Sequence, residues 1–123
     1  MNRSSEQVRQ NFIAAKLARS QLFLSSIVVH ELWFGVANSQ QLRWNVAVLR
    51  KFIAQGFVSL DFTDDDAEVA GQIRAYLKAA GTPLGAYDTL IAGQALARGL
   101  TLVTANTREF SRIDGLKLVD WTQ

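Results

Sequence analysis

The chain has 123 residues, 49% of them hydrophobic and 20% charged, a balance that fits one globular core and excludes a disordered or multi-core chain. It contains no cysteine and one histidine, His30, so disulfides, thiolate sites and zinc held by several His or Cys side chains are excluded. Thirteen Lys and Arg against eleven Asp and Glu leave a net charge of +2, which permits a nucleic-acid substrate without demanding one.

Any metal would have to be held by carboxylates, which points to Mg²⁺ with Mn²⁺ as a substitute. No apolar run is long enough to span a bilayer, and Met1 to Gln10 is too polar for a signal-peptide core. The expectation is a cytoplasmic protein with no membrane segment.

In chain order, Val8, Phe12, Ile13 and Leu17 have helical spacing. Leu22-Phe23-Leu24 reads as a short buried strand, and Ser25 and Ser26 offer caps for a helix running to about Ala37. Leu42, Val46, Leu49 and Ile53 line one face of a helix over Leu42 to Ala54, and Phe57 to Phe62 alternates like a strand. Thr63 with Asp66 forms a capping-box signature for a helix reaching about Ala80. Gly81 to Gly85 surrounds the only proline, Pro83, and marks a loop; a helix follows from about Tyr87 to Gly99. Leu100 to Val103 and Leu116 to Val119 complete the strands. Strands alternate with helices and no hairpin signal joins any pair, which predicts one α/β domain over residues 1–123 with a mainly parallel sheet flanked by helices.

Ligand sites of such sheets lie outside the carboxyl ends of the strands. The candidates are Glu31, roughly two turns into the helix after the Leu22-Phe23-Leu24 strand, Asp88 at the start of the helix after the Pro83 loop, and Asn106 and Glu109 after the Leu100 to Val103 strand. If their strands are neighbours, these side chains converge at one edge. Gathered carboxylates repel one another unless a cation neutralises them, and a divalent ion so held can activate water against a phosphodiester. Each residue also has a plain structural role open to it: Glu31 as a solvated helix residue, Asp88 as a complement to a helix dipole, Asn106 and Glu109 as turn formers. His30, Asp64-Asp65-Asp66 and the Trp33, Phe34 and Trp44 group read as structural. Arg98 and Arg108 are close enough in sequence to the candidate site to touch phosphate.

Pro83-Leu84-Gly85-Ala86-Tyr87-Asp88-Thr89-Leu90-Ile91-Ala92-Gly93 is similar to a signature of the VapC-type toxins of the PIN-domain ribonuclease family. So are Leu100 to Phe110 and the ending Gly115-Leu116-Lys117-Leu118-Val119-Asp120-Trp121, while Leu24 to Ile27 with Glu31-Leu32 and Phe34-Gly35 resembles the family's second acidic motif. The resemblance spans about Leu22 to Trp121. It implies a Mg²⁺-dependent RNA endonuclease, a homodimer paired with a small VapB-type antitoxin. Carried over by motif, Asp88 is the main metal ligand, Glu31 a further ligand, and Glu109 with Asn106 the side that positions water.

The family opens with an apolar strand ending in Asp-Thr-Asn, whose aspartate is the other principal ligand, and nothing in Met1 to Leu22 matches it. The PIN-like sheet is therefore expected to lack its first strand in this chain. Two functions follow. The first is toxin endoribonuclease activity. The second is a catalytically inactive PIN remnant that acts as an antitoxin-binding module, distinguished by poor Mg²⁺ binding. A phosphoacceptor signalling domain would need a phosphorylatable aspartate in a later strand and a lysine near its end, and neither the Leu100 strand nor the Leu116 strand ends that way.

Overall fold

The computed structural model describes residues 3–123. Its elements in chain order are α1 (Arg3–Leu17), β1 (Phe23–Ser25), α2 (Ser26–Ala37), α3 (Leu42–Ile53) and β2 (Val58–Leu60), then α4 (Asp64–Ala79), α5 (Ala86–Ala97), β3 (Thr101–Val103), α6 (Thr107–Phe110) and β4 (Lys117–Val119). The alternation of strand and helix matches the sequence expectation, and every strand pairing is parallel. The strands form two two-stranded pairs, β1 with β2 and β3 with β4, and among the described residues no third strand joins either.

The chain divides into two compact units, residues 21–62 and residues 1–20 with 63–123. In the first, Ser25 ends β1 and caps α2, its hydroxyl accepting from the Ile27 amide at 3.1 Å. Such a cap contributes about 1 kcal/mol, useful to a helix whose start, Ile27-Val28-Val29, is β-branched. Strand β1 runs in register with β2, Phe23 opposite Val58 and Ser25 opposite Leu60. The Arg50 guanidinium of α3 lies 5.2 Å from the Trp33 ring of α2, a cation–π contact that ties the two helices together.

The second unit holds the core. Ile73 and Leu77 of α4, Ala92 of α5, and Phe110 and Ile113 are buried together, with Leu84, Leu96, Leu102 and Leu118 packed against them. Each large side chain so buried contributes roughly 1.5–3 kcal/mol. The period of the β3–β4 pair sets its faces. Leu102 opposite Leu118 turns to the core, while Val103 opposite Val119 stays 43% and 39% exposed.

Helix α4 begins with the capping box expected from Thr63 and Asp66: the Thr63 hydroxyl accepts from the Asp66 amide, and the Asp66 carboxylate accepts from the Thr63 amide at 2.9 Å. Helices α4 and α5 approach so closely that a Cβ placed on Gly93 would stand 2.5 Å from the Ala70 Cβ and 2.6 Å from its Cα. After α5, Gly99 takes φ +64 and turns the chain into β3, the left-handed conformation that glycine adopts without strain. At the other end of the unit, Asn11 of α1 donates to the Trp121 carbonyl at 2.9 Å and Phe12 packs edge-on against the Trp121 ring.

Candidate active site

Asp88 stands in the first turn of α5 and is half-buried. Leu84 anchors the preceding loop to the core. The buried Thr89 then fixes the helix start, its hydroxyl donating to the Gly85 carbonyl at 2.9 Å. The Asp88 carboxylate turns back over Gly85, with Oδ2 3.7 Å from where a Cβ on that glycine would lie. The Gly99 turn joins α5 to β3, whose carboxyl end leads into the loop that carries Asn106 and Glu109.

In that loop the Thr104 amide donates to the Val119 carbonyl at 3.0 Å, extending the pairing by one residue. The Thr104 hydroxyl accepts from the Asn106 amide at 3.0 Å. The Asn106 side-chain amide in turn donates to Glu109 Oε2 at 2.9 Å. Residues 107–110 form a short helical turn where the sequence alone suggested only loop, and burial of Phe110 locks it in place. Asn106 and Glu109 are thus in contact.

Glu31 is exposed on α2, in the other unit. His30 beside it is likewise exposed. Thr104 is a residue that motif reading passed over: its part shows only in the hydrogen bond it makes two residues on, which a Thr before Ala-Asn does not announce.

Arg98 has a different role from the phosphate contact that its sequence position suggested. Its guanidinium grips Asp66 through two bonds, Nε to Oδ1 at 3.3 Å and a terminal nitrogen to Oδ2 at 3.0 Å. Gln94 adds a third donor at 3.3 Å. Burial raises the Asp66 pKa, but the bonds from Arg98 and Thr63 more than offset this and hold the carboxyl below its ordinary value. Asp66, 1% exposed, is therefore a structural anion joining α4 to α5.

The PIN domain family matches residues 4–116, a span that runs through both units. The chain is 44% identical over 116 residues to the tRNA(fMet)-specific endonuclease VapC of Salmonella typhimurium, covering 94% of this chain and 85% of that protein. This chain belongs to the PIN-domain family, in its VapC branch. It is also 36% identical over 101 residues to ribonuclease VapC2 of Haemophilus influenzae, covering 82% of this chain and 76% of that one. Among solved structures, the DNA-bound VapBC complex from Salmonella typhimurium superposes with a TM-score of 0.85 at 41% identity, covering 94% of this chain and 85% of that chain. VapBC2 from Rickettsia felis, bound to a DNA fragment of its promoter, gives 0.84 at 34% identity, over 91% of this chain and 84% of that one.

PIN-domain nucleases work with a divalent metal. The candidate donors of this VapC-type chain are all oxygens, which suits a hard cation. Their number falls short: among the described residues no group of three or more His, Cys, Asp or Glu side chains is arranged to hold a metal ion. The residues brought together do not by themselves make a metal site. No helix of the described residues is long and apolar enough to cross a membrane.

Proposed function

We propose that this chain is the toxin component of a VapBC-type pair, an endoribonuclease that cleaves RNA phosphodiester bonds, with a VapB-type antitoxin as its partner. The observation that carries the reading is the Asn106–Glu109 pair beyond the carboxyl end of β3, in a chain of VapC ancestry that also carries Asp88 in the first turn of α5. The substrate suggested by the Salmonella typhimurium relative is tRNA(fMet). The proposed protein is a single PIN domain over residues 1–123, a homodimer and cytoplasmic.

Hydrolysis needs a water placed in line with the bond to be broken and negative charge near its protons. Glu109 accepts a hydrogen bond from that water and orients its lone pair toward phosphorus. Asp88 supplies the second carboxylate. Glu31 is proposed as a further acid from the motif it matches alone, and Glu31→Gln should lower cleavage. Mg²⁺, or Mn²⁺ in its place, is the proposed cofactor, with Asp88, Glu109 and Glu31 as its candidate ligands. Because too few ligands come together among the described residues, no step is assigned to the ion.

That same shortfall favours a second reading, an antitoxin-binding module without activity. The test is to incubate the purified chain with RNA and Mg²⁺, with and without chelator, and to titrate it with antitoxin. Cleavage that chelator abolishes supports the nuclease. Antitoxin binding without any cleavage selects the second reading.

A further inference from the structure

Asn106 holds the position that usually caps a helix, immediately before Thr107, yet its side chain caps nothing. An N-cap Asn ordinarily accepts from an amide two or three residues on. Here it donates to Glu109 Oε2 at 2.9 Å instead. A carboxylate offers acceptors only, so the amide nitrogen must face it, and the amide oxygen is turned to the other side. Two residues before Asn106, the Thr104 hydroxyl accepts from the Asn106 backbone amide at 3.0 Å and so fixes the bend that aims Asn106. Thr104 is itself tied to β4 through its own amide. A chain of bonds therefore runs from the strand pair through Thr104 and Asn106 to one oxygen of Glu109.

Resting on the nuclease reading above, we propose that Thr104 and Asn106 are positioning residues whose work is to hold Glu109 Oε2, leaving Glu109 Oε1 to accept from the attacking water. Glu109 is the group that acts, and the other two act through it. A half-buried carboxylate on a four-residue turn would otherwise sample several rotamers, and a displacement of about 1 Å in a catalytic group can cost on the order of a hundredfold in rate.

Two measurements test this. The first is a mutant cycle on RNA cleavage with unfolding midpoints recorded alongside. Asn106→Ala and Thr104→Val should each lower kcat by about tenfold or more with little change in KM or midpoint. Thr104→Ser should restore most of what Thr104→Val loses. In a Glu109→Ala background neither change should lower the residual rate further. Losses that multiply in that background, or a Ser variant as impaired as the Val, would overturn the proposal. The second needs no activity: the Asn106 side-chain amide resonances, assigned by their loss in Asn106→Ala, should move on Glu109→Ala and on Thr104→Val. Resonances indifferent to both changes would overturn it as well. A wild-type chain that fails to cut RNA while its amide responds as expected would refute the nuclease reading and the water-holding role, and leave the hydrogen-bond chain standing.

Discussion

Asp66 and Asp88 sit in the first turns of consecutive helices, and their surroundings separate them. Asp66 is enclosed by Arg98, Gln94 and its own capping box, so both of its oxygens are held inside the fold. Its lowered pKa means that the native state holds it ionised more tightly than the unfolded chain does. The stability it contributes is present above the unfolded carboxyl value of 3.8 and is lost as pH falls through the lower native value. Removing the carboxylate in Asp66→Ala leaves Arg98 without its buried partner and α4 without its box. Since the Arg98 side chain is 32% exposed, water relieves part of the loss, and a destabilisation of about 2–3 kcal/mol is expected by denaturant unfolding. Asp88 makes no comparable set of bonds, and Asp88→Asn should leave the unfolding midpoint within about 0.5 kcal/mol of wild type. The sequence reading placed both aspartates at helix starts. It could not foresee that Asp66 would claim Arg98, because their contact joins residues 32 apart in the chain.

Elements were legible wherever a local signal marked them. Ser25 and Thr63 with Asp66 begin helices where their side chains cap them, and Gly99, with φ +64, follows the end of another. The short turn at Thr107–Phe110 escaped, because four residues carry too little periodicity to register and what fixes it is the burial of Phe110 by distant partners. The strands proved shorter than their apolar runs, three residues each. The closeness of α4 and α5 was likewise hidden, since Gly93 in a helix reads only as a weak helix former. Gly93→Ala is expected to destabilise by roughly 1–3 kcal/mol despite the better helix propensity of alanine. Trimming the neighbour with Ala70→Gly should not rescue it, because the backbone of residue 70 is itself 2.6–2.8 Å from the new Cβ. Thermal unfolding of the two single variants and the double variant checks this. A full rescue would mean that only the methyl groups collide.

At the scale of the whole molecule, the order of the motifs was enough to point to the family, while the way the sheet divides was not. Parallel pairing followed from alternation, but strand order depends on contacts between segments far apart in sequence, which periodicity does not encode. The candidate site divides in the same way. Asp88 was singled out at a helix start after the Pro83 loop and Glu109 after a strand, whereas the Thr104–Asn106–Glu109 chain depends on side-chain rotamers. The central claim is that these carboxylates cleave RNA. The most direct measurement is cleavage of tRNA(fMet) in Mg²⁺ by wild type and by Asp88→Asn, prepared identically and shown to unfold at the same midpoint. The account predicts cleavage by wild type and none by Asp88→Asn. Equal cleavage by both would remove Asp88 from the mechanism, and absence of cleavage by a folded wild type that still binds its antitoxin would contradict the nuclease itself.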